Sequence, residues 1–253
     1  MSSSEDKRMI QYKINLRNKI LQIYHKKGYT HAVKTVKHLI TNANKKTKEF
    51  EDKTLAINTR GECCEILLEI QILEFAKRNN LPWILTKGTT IRRKDYKKDK
   101  TTELDLTLFT PSRIVLLESK YRMGKITLID KCTIVPNYGN VTDVYKQNIM
   151  HLDNLRYYLA DAVINLKLGS PFSIALYVEE IKRVDDQRKD EYKKLVPLIG
   201  EENIFDYLAT LAKMKQKIWD IKKLQEILQK LDAESDALFE EHIERVKKNN
   251  DKH

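Results

Sequence analysis

Apolar positions recur at helical spacing at both ends of this chain and at strand spacing in its middle. From about residue 8 to 55, Ile10, Ile14 and Leu16 open a stripe that Ile20, Leu21 and Tyr24 continue. Gly28 breaks it, Thr30 stands where a cap belongs, and Ala32, Val33, Val36 and Leu39 form the next stripe. This predicts two helices with a short joint. Such a pair fits either a helix-turn-helix reader of DNA or a hairpin laid over a core. No set of base-reading side chains is recognisable in it, so the hairpin is favoured.

Between about Thr59 and Glu180 the texture changes. Gly61 to Arg78 reads as a strong helix with Ile66, Ile70 and Leu73 at helical spacing, and Trp83 to Thr86 as a short strand. Two firm strands follow, Glu103 to Phe109 and Ile114 to Lys120, joined by the turn-like Thr110-Pro111-Ser112-Arg113. In the first, strict alternation predicts Leu104, Leu106 and Leu108 on one face and Asp105 on the other. In the second, four apolar residues in succession predict a strand covered on both faces, with Leu116, Glu118 and Lys120 sharing one of them. A helix from about Thr142 to Leu159, with Tyr145, Ile149 and Leu152 as its buried stripe, precedes a strand from Ser173 to Val178. This order predicts a mixed α/β domain. From about Asp190 the chain reads as helical again, with Ile221, Leu224, Leu228, Leu231 and Leu238 at coiled-coil-like spacing, a packing or self-association face.

Composition narrows the class. With 253 residues, 41% of them hydrophobic and 33% charged, the chain suits one domain with helical extensions or two small ones, with enough apolar material for a core. No apolar run approaches the ~18–20 residues that span a bilayer. Met1 to Arg8 is polar and lacks the apolar stretch of a secretion signal. Three cysteines, with Cys63 and Cys64 adjacent, give neither a disulfide framework nor zinc spacing. The expectation is a soluble cytoplasmic protein in a reducing compartment. The formal charge of +11 points toward polyanions without naming one.

The candidate chemistry lies on the two firm strands. A carboxylate and an ammonium at the end of a buried strand each cost several kcal/mol of desolvation unless paired or bound. Glu118 and Lys120 can pair with each other, and Glu-x-Lys alone proves nothing. If the strands form a hairpin, however, Asp105 converges with Glu118 at one end of the sheet. Two carboxylates beside a lysine suit a hard divalent cation, which keeps several waters and needs few protein ligands. The metal would polarise a phosphate and acidify a bound water, with the lysine orienting that water or stabilising developing charge.

Glu103-Leu-Asp105, the Thr110-Pro111-Ser112 turn, Ile114-Val-Leu-Leu-Glu118-Ser-Lys120 and Gly124-Lys125-Ile126 together resemble the PD-(D/E)XK nucleases, and among them the nuclease-related domain, NERD. Gly61-Glu62 resembles the pair that opens the preceding helix in that family. Gln147-Asn148 with His151, and Ser170-Pro171 before the next strand, agree. Two departures stand out: Leu104 replaces the proline often found before the metal aspartate, and Arg113 occupies a turn position where glycine is common.

The resemblance covers roughly residues 59 to 180. It implies a restriction-endonuclease-like mixed sheet core flanked by helices, at about residues 56–182, with helical extensions at 1–55 and 183–253. It further implies a Mg²⁺- or Mn²⁺-dependent endonuclease acting on DNA, in restriction, defence or repair. On this reading Asp105, Glu118 and Glu62 are metal ligands, with Glu65 in place of Glu62 if the register differs by one turn. Lys120 is the catalytic lysine and Gln147 positions substrate or water. The extensions would supply a homodimer contact or grip on DNA. The alternatives are a non-catalytic DNA-binding or scaffold protein with a degenerate core, and an RNA nuclease. Separately, the basic stretch containing Arg92, Arg93, Lys94, Lys97 and Lys98 is a candidate for contact with the phosphate backbone.

Overall fold

The computed structural model describes residues 3–45, 47–93, 100–121, 124–137, 140–165 and 170–250. The chain opens with α1 (Ser3–Lys27) and α2 (Tyr29–Asn44), followed by the long α3 (Lys53–Arg78). Gly28 is itself the cap of α2, at φ +83°, a conformation glycine adopts without penalty; Thr30 lies inside the helix and does not cap it. The buried stripe of α1 is Leu16, Ile20 and Tyr24, whereas Ile14 is exposed. With Ala32, Val36 and Ile40 of α2 it packs on Cys63, Ile66, Leu67 and Ile70 of α3. The two helices therefore form a hairpin covering α3, as the sequence favoured.

The predicted start of α3 at Gly61 is too late by two turns. Asp52 caps the helix, its side chain accepting from the backbone N–H groups of Thr54 at 2.7 Å and Leu55 at 3.2 Å. Gly61 then sits mid-helix, where glycine costs only about 1 kcal/mol.

Five strands form the main sheet in the order β1 (Ile84–Arg93), β2 (Lys100–Phe109), β3 (Ile114–Ser119), β7 (Phe172–Tyr177) and β9 (Leu198–Ile199). A second, smaller sheet is ordered β6 (Thr142–Asp143), β5 (Thr133–Pro136), β4 (Ile126–Ile129) and β8 (Val184–Asp186). In the main sheet β1, β2 and β3 are antiparallel neighbours, and β7 and β9 add in parallel. All six residues of β3 are buried, as expected for a central strand. One face, built on Leu106, Leu108, Val115 and Leu117, packs on Cys64, Leu68 and Ile72 of α3 and on α6 (Ile204–Ala212). The other, built on Phe109, Ile114, Leu116, Ile174 and Leu176, packs on α4 (Val144–Leu159) and α7 (Ile221–Asn250). Between the sheets and α6 lies the short α5 (Asp190–Leu195). The architecture is mixed α/β with helices on both faces and at both ends.

The Leu224, Leu228, Leu231 and Leu238 stripe of α7 is buried within the chain itself. Its helix lies along β1, where the Thr90 N–H donates to Ser235 Oγ at 2.8 Å, so α7 supplies a partner for an otherwise open edge strand. The stripe is thus an internal packing face and not a free surface for a second copy. The region after Asp190 is also less uniformly helical than its pattern suggests, because Leu198–Ile199 pairs with β7. The division expected at residue 55 falls inside α3, and that expected at 182 falls inside a 3-10 turn, Ile181–Arg183, ahead of two further strands. The three cysteines are free and buried, with the Cys63 and Cys64 thiols pushed up to about 12 by burial, which makes them inert core residues.

Candidate active site

The β2–β3 ladder pairs Leu106 with Leu117 and Thr107 with Leu116, so its next step sets Asp105 across from Glu118. Asp105 lies close enough to Glu118 for each carboxyl to act on the other, and Lys120, just beyond β3, forms an ion pair with Glu118 Oε1. Lys120 is held in line with the sheet because its N–H donates to the Tyr177 carbonyl at 3.1 Å. From the far side Asn148 of α4 donates through Nδ2 to Glu118 Oε2 at 2.9 Å. Ser119, between acid and lysine, is buried. Asp105, Glu118 and Lys120 are thus brought together as expected.

Electrostatics separate the two acids. Burial pushes both up, but at Glu118 the attraction of Lys120 and the hydrogen bonds from Lys120 and Asn148 outweigh it, so its carboxyl stays below the ordinary range. Asp105 has no such support. Burial first, and then the charges of Glu118 and Glu65, push it up to about 8, with Lys120 opposing. At neutral pH the pair therefore retains one proton.

A second group of charges lies beside this pair. Lys87 of β1 binds Glu62 of α3 and lies 3.3 Å from Glu65. Burial and the nearby acids act on Glu65 and Glu103 too, raising both. Asp105 senses Glu65 and Glu103, whereas Glu62 is engaged by the Lys87 ammonium. Opposite Asp105 in the ladder stands Gly88, between the pairs Lys87–Leu106 and Thr89–Leu104. Its φ of +67° turns β1 locally. The expectation that Leu104 shares a face with Leu106 and Leu108 does not hold. Leu104 packs instead with Ile91 and Leu116 on the α4 side, while the other two leucines pack on α3.

Gln147 is half-buried on α4, next to the residue that contacts Glu118. The fully buried stripe of this helix is Val144, Asn148, Leu152, Leu155 and Leu159, with Tyr145 and Ile149 only partly covered beside it. Asn148 is one of three buried polar residues on this helix, with His151 and Asn154, and polar residues at buried helical positions were the signal that could have pointed to it. Lys87, a lone lysine beside a glycine in an apolar strand, carried a weaker one. Arg92 is exposed, and both it and Arg93 belong to β1, with Tyr158 donating to the Arg92 carbonyl at 3.1 Å. At ~3.3 Å per residue Arg92 lies about 13 Å along the strand from Gly88. Lys94, Lys97 and Lys98 lie outside the described residues.

Among the described residues no group of three His, Cys, Asp or Glu side chains is arranged to hold a metal ion. The pair itself nevertheless fits a hard divalent cation. Asp105 and Glu118 offer carboxylate oxygens side by side across the ladder, and the mutual repulsion that raises Asp105 is what a bound cation would relieve.

An aspartate and a glutamate on adjacent strands of a mixed sheet, followed at the second residue by a lysine, define the PD-(D/E)XK nuclease class. Residues 65–179 match the family model of the nuclease-related domain, which is consistent with a domain of that class over this segment. No curated protein matches the chain. Among solved structures, the crystal structure of protein VC1899 from Vibrio cholerae aligns at 13% identity with a TM-score of 0.35, over 84% of this chain and 57% of that one. The chain thus spans less than two thirds of that protein.

Proposed function

We propose that this chain is a divalent-metal-dependent endonuclease that hydrolyses phosphodiester bonds of DNA. The observation that carries the reading is the placement of Asp105 across the ladder from Glu118, with Lys120 on the Glu118 carboxylate. Asp105 and Glu118 would hold Mg²⁺ or Mn²⁺, which when bound polarises a scissile phosphate and acidifies a water. Lys120 Nζ, one-fifth exposed, can reach from Glu118 toward solvent to orient that water or to stabilise charge developing on phosphate oxygen. Asn148 fixes the Glu118 carboxylate against rotation. Glu62 serves as the anchor of Lys87, and Gln147 is in place to meet substrate at the same helix.

The test is incubation of purified protein with plasmid DNA and with RNA, in Mg²⁺ or in EDTA, beside Asp105→Ala. Metal-dependent cleavage of DNA that Asp105→Ala abolishes is the expected result. Cleavage of RNA alone reassigns the substrate. Binding without cleavage marks a scaffold with a degenerate core, and equal activity in wild type and Asp105→Ala refutes the site.

A further inference from the structure

From Lys7 to Lys48 the sequence holds twelve Lys or Arg residues and not one Asp or Glu, where the chain's average acidity would place about six. These residues are α1 after its first four positions (which include Glu5 and Asp6), α2 and the segment that follows them, the hairpin lying outside the matched family segment. Their apolar stripes face α3, which leaves the outward faces polar. Arg8, Lys19, Lys26, Lys27, Lys34 and Lys45 are exposed, and between the cations of α1 stand exposed Gln11, Asn15, Asn18 and Gln22. Apart from Lys37, which pairs with Glu201 at 2.5 Å, this is a surface of ammonium, guanidinium and amide groups that suits a polyanion whose charge repeats along a line.

Position says which polyanion. The hairpin is anchored beside the catalytic pair: Tyr12 hydrogen-bonds Thr59 of α3 at 2.8 Å, and Arg17 grips Glu69 through Nε at 2.8 Å. Lys13 lies close enough to stabilise the charged forms of Glu65 and Glu103. The site itself is rich in carboxylates and repels a phosphate backbone, so the attraction that holds a strand there must come from a neighbouring surface. An anionic lipid surface is disfavoured because the apolar side chains such a helix would insert are already packed against α3.

We propose that the outer face of the α1–α2 hairpin is the nucleic-acid-binding surface of this protein, seating the phosphate backbone of the duplex whose strand enters the Asp105–Glu118 site. The proposal rests on the nuclease reading for its choice of partner. It assigns the grip to the hairpin, ahead of the Arg92–Lys98 stretch.

The experiment uses the full chain in EDTA, so that binding is read without cleavage, with a fluorescently labelled mixed-sequence duplex as probe. The triple variant Lys19→Glu, Lys26→Glu, Lys34→Glu is compared with Lys222→Glu, Lys223→Glu, Lys230→Glu, a matched reversal at exposed positions of α7. The hairpin variant is expected to bind at least about tenfold more weakly at low salt, with a log–log salt slope shallower by about 0.9 for each phosphate it no longer neutralises. The α7 variant should remain within about twofold of wild type. Equal weakening by both variants, or wild-type binding by the hairpin variant, overturns the proposal. So does binding to phosphatidylserine vesicles that exceeds binding to duplex. If circular dichroism shows the reversal variant unfolded, Lys→Gln at the same three positions must show the same ordering. Hairpin-dependent binding by a protein that never cleaves would sink the nuclease reading alone, whereas cleavage with hairpin-independent binding would sink this one alone.

Discussion

Asp105 and Glu118 face each other across the β2–β3 ladder and between them retain one proton at neutral pH, Asp105 being pushed up by burial and by Glu118 while Lys120 holds Glu118 low. The ordinary carboxyl value for Asp105 is 3.8, and in the fold it rises to about 8, so between these values the folded protein binds a proton that the unfolded chain has released. Linkage then makes this group's contribution fall as pH rises from about 4 to 8 and level off above. Glu118, held low, acts the other way and only in acid: its contribution is lost as pH falls below the ordinary carboxylate range. Thermal melts of metal-stripped protein from pH 5 to 8 should show a downward slope that Asp105→Asn flattens. An unchanged slope in that variant would rule out the retained proton.

Metal binding should displace the same proton. Calorimetry with Mn²⁺ in buffers of different ionisation enthalpy is expected to show close to one proton released at pH 7, and affinity that rises toward pH 8. Glu118→Gln should lose most of the affinity. Lys120→Met should keep metal binding and lose about 10²–10³ in cleavage rate, the size expected for removing one group that stabilises developing charge. Asn148→Ala should leave the metal bound more weakly, because Glu118 is then free to rotate.

The pairing of Asp105 with Glu118 could be read in the sequence because alternation and a short turn fix the register of a hairpin, and register fixes which side chains meet. Pairings across distant elements were less legible. Asn148 stood in an i, i+4 stripe with Val144 and Leu152, but periodicity alone does not say that its amide would find a carboxylate on β3. The length of β1 was hidden because its distal half is polar, with Thr89 and Thr90 buried by α7 instead of by an apolar face. Leu104 was misplaced because alternation presumes a flat strand, whereas strands twist, and alternation does not say which cluster each side chain joins. The α7 stripe showed where apolar contacts would form without showing that their partner was this chain's own sheet.

Gly88 should resist substitution. A Cβ there would meet Glu103 Oε1 at an ordinary 3.6 Å, so space is not the obstacle. The obstacle is φ +67°, which costs an L-residue about 1–2 kcal/mol. Gly88→Ala is expected to lose that amount in urea denaturation, and to lose cleavage more steeply than stability, since the kink aligns β1 across from Asp105. Activity that survives in a folded variant would show that the kink is incidental to the site.

Lys87 tests whether the second charged group is structural. Its side chain is 12% exposed and lies between Glu62, 6% exposed, and Glu65, 26% exposed. Replacing it with methionine preserves much of the stem but leaves two acids without their cation, one of them almost wholly buried. Breaking a buried pair in this way costs about 3–5 kcal/mol, most of it due to the stranded charge. Lys87→Met should therefore lower the urea midpoint strongly, and Lys87→Met combined with Glu62→Gln should recover a large part, because the stranded charge is removed. The double variant matters more than the single one. If it is no more stable than Lys87→Met, the methionine has damaged packing and the ion pair was not what held α3 to β1.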